Sequence, residues 1–309
     1  NGIVAVTAYG VIKDMTFPLI FEVYKPRERL QPGDEYKSKP EIAAAMIREL
    51  KQGRFKFELV LADSLYGESE SNFIHVLQEF KLQFVVAIRS NHGVWLPAGE
   101  RVRYNQWHPF QRVFSNHRTE VRYIREIVFG HRREIRYWQI TTDKFHLPEE
   151  STWWVMTQVP GITYPQVGNF LGLRTWVEYG LKQSKDELGW ADFRLTNYRD
   201  IRKWWEMVFS AYLFVSLYSD QLNKAPKIKL EIFAEHRGLD NHQGWKNLLN
   251  NLRSIMQPFI YLNLLKAWLK VFPVPQLLDA LSRLIALMNR FANGMPTAST
   301  RPVFQFYST

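Results

Sequence analysis

The spacing of apolar residues changes several times along the chain and predicts an alternation of strands and helices. Two runs rich in β-branched and aromatic residues, 3–9 and 17–24, flank the turn sequence GVIKDMT and predict a β-hairpin. The short apolar runs 59–62 and 84–88 predict two more strands, and the segment 69–81 between them has helical spacing. A strand, a helix and a strand within about 30 residues form a βαβ unit, so we expect these two strands to be parallel.

The second half of the chain changes from strand-like to helical. Two alternating runs, 119–129 and 132–142, meet near Gly130 and predict another hairpin, and 152–159 predicts a further strand. From residue 201 onward the pattern is helical, and we expect the stretch 294–309 to be poorly ordered. The tryptophans of this helical region are interpreted as packing residues: Trp204, Trp205, Trp245 and Trp268.

One helical segment, 171–189, carries two distinct faces. At about 100° per residue, four leucine and valine side chains fall within a sector of roughly 80° and predict a core-facing stripe. They are Leu173, Val177, Leu181 and Leu188. Arg174, Glu178 and Lys185 fall within about 40° of one another on an adjacent face. The alternative to a functional role is a solvated helix with an Arg174–Glu178 ion pair.

Composition describes a globular protein with an excess of positive charge. Hydrophobic residues make up 46% of the 309 residues and charged residues 23%, and the net charge is +10. This charge favours a polyanionic partner, of which nucleic acid is the commonest. The absence of cysteine excludes disulfides and thiolate metal sites and fits a reducing compartment. Neither a signal peptide nor a membrane-spanning apolar run is apparent, so we expect no membrane partner.

Arginine is concentrated in the strand-rich region. Residues 101–136 contain nine arginines, no lysine and three acidic residues, with aromatic residues interleaved. The planar guanidinium group suits phosphate recognition, so Arg122, Arg125 and Arg132 are candidate DNA-binding residues. Cross-strand pairing between arginine and glutamate is the alternative.

Asp63 is the second candidate for chemistry. It follows the predicted strand 59–62, at the carboxyl edge where ligands bind in open α/β sheets, within the sequence LADSLYG. The alternative is an aspartate that caps the next turn or helix.

Two motifs of the chain resemble those of the DDE transposases of insertion sequences. The spacing Arg174, Glu178, Lys185 resembles the signature Y-x2-R-x3-E-x6-K, with Leu171 at the tyrosine position, and LADSLYG resembles the motif around the second acid. The resemblance implies an α/β fold with a ribonuclease-H-like mixed sheet. It also implies bacterial cytoplasm as the location, in association with the nucleoid, double-stranded DNA of transposon ends and target as partner, and a possible homodimer.

The same resemblance implies a metal-dependent reaction. Two Mg²⁺ ions held by three carboxylates would cleave a DNA strand and transfer it, since two metals clamp the attacking and leaving oxygens of the displacement. Asp63 and Glu178 match the second and third carboxylates, and Arg174 and Lys185 would hold phosphates of the transposon end. The first acid would precede the first hairpin, where neither Asp14 nor Glu22 matches it. We therefore expect a chain truncated at its N-terminus and catalytically inactive.

The expected organisation has four parts. They are the first part of the ribonuclease-H-like core, 1–90, a β-rich insertion, 91–168, the helical completion of the core, 169–222, and a helical C-terminal region, 223–309. Two other functions remain open: a non-enzymatic DNA-binding remnant of a transposase, and a ribonuclease-H-like nuclease that cuts DNA without joining it.

Overall fold

A computed structural model of the chain describes residues 3–12, 15–114, 118–223 and 244–294. Asp14 and the C-terminal stretch 295–309 lie outside the described residues. In the described ranges, no helix has the length and apolar character needed to cross a membrane.

Nine strands in the described ranges form two sheets. The strands are β1 (Val4–Ile12), β2 (Met15–Tyr24), β3 (Leu59–Ala62), β4 (Gln83–Ile88), β5 (Val102–Tyr104), β6 (His108–Val113), β7 (Thr119–Phe129), β8 (Arg136–Thr141) and β9 (Trp153–Thr157). Strands β1 and β2 form the predicted antiparallel hairpin, and the other seven form one sheet in the order β3-β4-β9-β8-β7-β5, with β6 also paired to β7. Because β3 and β4 are parallel and the other pairs antiparallel, this larger sheet is mixed. The predicted α/β class with a mixed sheet is confirmed.

Nine α-helices accompany these strands in the described part of the chain. They are α1 (Lys39–Gln52), α2 (Ser64–Gly67), α3 (His75–Glu79), α4 (Tyr164–Leu173), α5 (Thr175–Leu188), α6 (Tyr198–Leu217), α7 (Ser219–Asn223), α8 (Trp245–Val271) and α9 (Pro275–Gly294). Helix α1 begins with a capping box in which the backbone N–H of Ser38 donates to Glu41 Oε2 over 2.7 Å.

The crossover between β3 and β4 is less regular than the sequence predicted. The strands are parallel, as expected, with Val60 opposite Phe84. The helix predicted over 69–81 is confirmed between Glu70 and Glu79, where a π-helical turn, Glu70–Ile74, leads directly into α3. The short helix α2, which precedes it at Ser64–Gly67, was not predicted. Asp63 starts the first helix by capping it, a signal that apolar spacing does not contain.

The two sheets share one hydrophobic core. Val6 of β1, Ile42 and Met46 of α1, Val60 of β3 and Phe84 of β4 belong to the same buried cluster. Helix α1 thus packs on both strands of the β1–β2 hairpin and on the helical crossover that connects β3 with β4.

The strands of the arginine-rich region extend the sheet that begins with β3 and β4. The predicted hairpin of 119–129 and 132–142 is confirmed as β7 and β8, and β9 lies between β4 and β8. Helix α4 covers this part of the sheet, where Trp138, Val155, Val167 and Leu171 are buried together. Leu171, which stands at the tyrosine position of the signature, is therefore a core residue.

The segment 171–189 differs from its prediction in two ways. It is divided between α4 and α5, with Arg174 at their junction, instead of forming one helix. The four residues of the predicted core stripe are only half-buried. The buried face of α5 instead consists of Trp176, Gly180, Gln183 and Ser184. Small side chains at 180 and 184 let the hairpin approach, so side-chain size determined the buried face.

The C-terminal helices pack around aromatic rings. Trp205 stacks on Trp190 with ring centroids 4.3 Å apart, and Tyr212 of α6 stacks on Trp245 of α8 at 4.1 Å. Two of the four tryptophans interpreted as packing residues, Trp205 and Trp245, are therefore buried. The interpretation of Trp268 is wrong, because that residue is 66% exposed on α8.

Candidate catalytic and nucleic-acid site

Asp63 lies where β3 ends and α2 begins. Its Oδ1 accepts a hydrogen bond of 3.0 Å from the backbone N–H of Leu65, so the capping interpretation describes its local geometry correctly. Among the described residues, its second carboxylate oxygen has no hydrogen-bond partner. Burial raises the pKa of Tyr66 to about 12, and the nearby charge of Asp63 adds to this effect. One carboxylate oxygen therefore remains available beside a largely apolar ring.

The close approach of β4 explains why the last residue of the motif LADSLYG, Gly67, is a glycine. A Cβ atom at this position would overlap the carbonyl oxygen of Ala87 in β4. The close contact brings α2 against β4, while the ring of Tyr66 packs on Phe73 with centroids 5.4 Å apart. The Tyr-Gly pair thereby fixes the short helix that Asp63 caps.

Glu178 occupies the first turn of α5 and is exposed. The ion pair between Arg174 and Glu178, which was the alternative to a functional role, is not formed. Within the described part of the chain, Glu178 makes neither a salt bridge nor a side-chain hydrogen bond. Lys185, two turns further along the same helix, is exposed in its last turn. The carboxylate is thus free to bind a ligand.

The two candidate carboxylates lie on different parts of the fold. Helix α5 packs against β1, β2 and α6, whereas Asp63 lies at the end of β3. In the residues that the structure describes, no three His, Cys, Asp or Glu side chains come together as a metal site. Glu22 is engaged elsewhere, in an ion pair of 2.9 Å with Arg202. By chemical type Asp63 and Glu178 would suit Mg²⁺, since this ion prefers carboxylate oxygens.

Comparison with known proteins gives two matches. Residues 20–127, which include Asp63, match the family model described as DDE superfamily endonuclease. The chain is 55% identical over 257 residues to a protein of Microchaete diplosiphon named "Probable transposase for insertion sequence element IS701". The chain belongs to the DDE transposases of insertion sequences. The match covers 83% of this transposase chain but spans only 64% of the length of the relative.

The predicted DNA-binding arginines of this transposase chain differ in how they are engaged. The guanidinium of Arg125 contacts the rings of Tyr104 and Trp107, 4.4 Å from each centroid. It donates hydrogen bonds of 2.9 and 2.6 Å to Gln139. Arg125 is therefore fixed in place by neutral partners and keeps its positive charge uncompensated by them.

Arg132 forms an arginine–glutamate pair, which was the alternative to a role in DNA binding. It contacts Glu126 at 3.1 Å, and Arg136 contacts the same carboxylate at 2.7 Å. Glu126 is 1% exposed and also accepts a hydrogen bond from Asn105. A buried carboxylate needs such partners, so part of the arginine excess has a structural role.

Arg122 is 7% exposed, and its Nε and Nη2 donate to Glu120 over 3.2 and 3.0 Å. Its remaining nitrogen, Nη1, is buried without a hydrogen-bond partner among the described residues. Arg112, on the neighbouring strand β6, was not among the predicted DNA-binding residues, although it shares this environment. The register of β6 and β7 is what brings Arg112 and Arg122 to one face, and the sequence pattern alone does not give that register.

Proposed function

We propose that this chain forms part of the active site of a transposase that cleaves and joins DNA strands with the help of divalent metal ions. Asp63 and Glu178 are the metal-binding carboxylates that the chain contributes. The observation that supports this role most directly is the exposed and unpaired carboxylate of Glu178, with Arg174 and Lys185 on either side along the helix. An exposed carboxylate of this kind is accessible to a metal ion, and Mg²⁺ prefers oxygen ligands.

Each residue has a separate task in this proposal. Asp63 and Glu178 would hold Mg²⁺, which supplies charge neutralisation at the phosphate and activates the attacking hydroxyl. Arg174 and Lys185 bind the phosphates next to the scissile bond and orient the strand. Because strand cleavage depends mostly on positioning and charge stabilisation, small displacements of these side chains should reduce the rate strongly.

Double-stranded DNA is the proposed partner, both as transposon end and as target. The net charge of +10 favours association with a polyanion, and nine arginines lie within residues 101–136 of the strand-rich region. Arg122 and Arg125 contribute to binding in this proposal. Arg132 contributes through its exposed guanidinium surface while it stabilises Glu126.

The test is a cleavage and joining assay with the complete product of the reading frame that encodes this chain. The substrate is duplex DNA carrying the end of the insertion sequence, in Mg²⁺ or in EDTA. We expect Asp63→Asn and Glu178→Gln each to abolish metal-dependent cleavage while duplex binding remains. The matched control is Glu49→Gln, which alters an exposed glutamate on α1 and should leave the activity unchanged.

The products distinguish the three functions. Cleaved and joined strands support a transposase, whereas cleavage without joined products supports a nuclease. Duplex binding without metal-dependent cleavage supports a non-enzymatic remnant. Full activity of Glu178→Gln would contradict the proposed site.

A further inference from the structure

Two arginines of the mixed sheet share a face that is covered by a helix. In the β6–β7 pairing, Arg112 lies opposite Glu120, and Phe110 lies opposite Arg122. Residues directly opposite each other, and residues two apart on one strand, project to the same side of a sheet. Helix α4 covers this side, and its Gly168 leaves no room for a Cβ atom against the Phe110 ring. Arg112 and Arg122 therefore lie beneath α4.

A third arginine reaches the same place from the helices. Gly172, near the end of α4, lies against Arg112, where a Cβ atom would come 3.3 Å from the Nε of that arginine. Arg174 follows two residues later, at the junction of α4 and α5. Asn169 fixes α4 to β6 because its side-chain oxygen accepts a 3.0 Å hydrogen bond from Val113 N. Two strands and one helix junction thus each contribute an arginine.

Each of the three guanidinium groups has a buried nitrogen without a hydrogen-bond partner in the part of the chain that the structure describes. These atoms are Arg112 Nε, Arg122 Nη1 and Arg174 Nε. Arg122 is 7% exposed, whereas Arg112 and Arg174 are only half-buried, so the cluster extends from the interior to the surface. Buried donors in folded proteins are nearly always hydrogen-bonded, and an unpaired one is costly. Three such donors in one cluster indicate a place for an acceptor with several oxygens.

The charge of the cluster indicates the same class of ligand. Three positive charges are accompanied by one negative charge, that of Glu120, which pairs with Arg122. Burial lowers the pKa of Arg112, and the charges of Arg122 and Arg174 lower it further. Phe114 and Trp153 each provide an aromatic face 4.8 Å from a guanidinium carbon, of Arg112 and Arg122 respectively. These rings hold the cations but accept no conventional hydrogen bond.

We propose that Arg112, Arg122 and Arg174 form one binding site for a backbone phosphate of double-stranded DNA. A phosphate offers several acceptor oxygens and a negative charge, and the arginine fork matches its geometry. This inference rests on the proposed function, DNA binding, and adds Arg112 as a positioning contact. It also gives the arginine-rich sheet a direct link to α5, because one bound phosphate would contact β6, β7 and the residue that precedes α5.

The experiment measures binding of a labelled duplex of arbitrary sequence over a series of potassium chloride concentrations. Backbone contacts do not depend on sequence, and each one contributes about one unit to the slope of log affinity against log salt. Arg112→Gln should weaken binding about tenfold and reduce the slope by about one. The matched control is Arg103→Gln, which removes the same charge from an exposed position on β5 and should change binding by less than about threefold.

A second arm separates the site from DNA binding as a whole. Inorganic phosphate, compared with chloride at equal ionic strength, should raise the melting temperature of the parent but not that of Arg112→Gln. If the duplex binds and Arg112→Gln behaves like Arg103→Gln, the phosphate site is wrong while DNA binding stands. If the parent does not bind the duplex, the proposed function fails, and the phosphate arm alone decides whether the site binds anions.

Folding of the variants is checked by circular dichroism and by melting without phosphate. Should Arg112→Gln not fold, Arg112→Lys takes its place, with Arg103→Lys as its control. Lysine retains the positive charge but lacks the planar fork, so affinity should fall with little change in slope. Equal affinities of these two lysine variants would overturn the proposal.

Discussion

Gly180 of α5 lies against the ring of Tyr9 in β1. A Cβ atom at position 180 would come 2.7 Å from Cε1 of the tyrosine, closer than real Cβ contacts allow. The hydroxyl of Tyr9 lies 3.5 Å from Ser184 Oγ, one helical turn further on. The β1–β2 pairing is irregular between Ala8 and Tyr9, where Tyr9 lies opposite Pro18. This contact fixes α5, and with it Glu178, on the hairpin.

We expect Gly180→Ala to destabilise the protein. Alanine is a better helix former than glycine by about 1 kcal/mol, whereas overpacking against a buried ring costs about 1–3 kcal/mol. The net effect should be a loss of up to about 2 kcal/mol in the free energy of unfolding, measured by urea denaturation. Gly93→Ala is the control, since nothing lies within 4 Å of a Cβ at that exposed glycine. If Gly180→Ala proves as stable as the parent, α5 does not pack on Tyr9 as described.

Gly67→Ala should be more damaging than Gly180→Ala. The added methyl group would meet the backbone carbonyl oxygen of Ala87, which is fixed in β4 and cannot rotate away as a side chain can. We expect a loss of about 3 kcal/mol or a failure to fold, measured by the same denaturation method. Metal-dependent cleavage should fall with it, because α2 carries the backbone N–H that binds Asp63. A stable Gly67→Ala protein would show that α2 does not approach β4 closely.

The strand-rich part of the fold could be predicted from the sequence better than the helical site. Alternation identified β7 and β8, and the order strand, helix, strand predicted that β3 and β4 are parallel. The buried face of α5 could not be predicted from hydrophobicity, because Gly180 and Ser184 are buried to admit a ring from a distant strand. A pair of small residues four apart was the available signal.

The candidate site, like the fold, could be predicted from the sequence only in part. The motifs identified Asp63 and Glu178 as candidates, and the capping role of Asp63 was recognised as an alternative. Arg112 escaped notice because strand register, which depends on turn geometry and long-range packing, places it beside Arg122. The engagement of Arg132 by Glu126 likewise depends on where β7 and β8 meet.

A pH dependence should arise where α5 meets α8. Glu187 is in contact with Lys246 at 2.6 Å and Arg253 at 3.0 Å, and its side chain is 9% exposed. Burial opposes ionisation, but the hydrogen bonds and charges of both cations outweigh it, so the pKa of Glu187 lies below its ordinary value. Because the folded pKa is lowered, this stabilisation is present at neutral pH and is lost as pH falls through the folded pKa.

Glu187→Gln should therefore lower the stability at pH 7 by about 1.5–3 kcal/mol and flatten its decline in acid. The measurement is the melting temperature as a function of pH for the parent and the variant. Glu49→Gln, an exposed change on α1, should follow the parent curve. Parallel curves for Glu187→Gln and the parent would show that this ion pair has no part in the acid response.

The 309-residue chain by itself should bind duplex DNA without cutting it. Two metal ions need more fixed oxygens than Asp63 and Glu178 supply, and one oxygen of Asp63 already accepts the Leu65 N–H. In the described ranges no three His, Cys, Asp or Glu side chains form a metal site, and Glu22 is paired with Arg202. Loss of one ligand misaligns the attacking oxygen, so the rate should fall by orders of magnitude.

The assay is strand cleavage of the element's end sequence in Mg²⁺ and in Mn²⁺, alongside a binding measurement on the same duplex. Cleavage by this chain that Asp14→Asn abolishes would identify Asp14 as the missing ligand and overturn the expectation. Cleavage that survives both Asp14→Asn and Glu178→Gln would show that the active site lies elsewhere in the molecule.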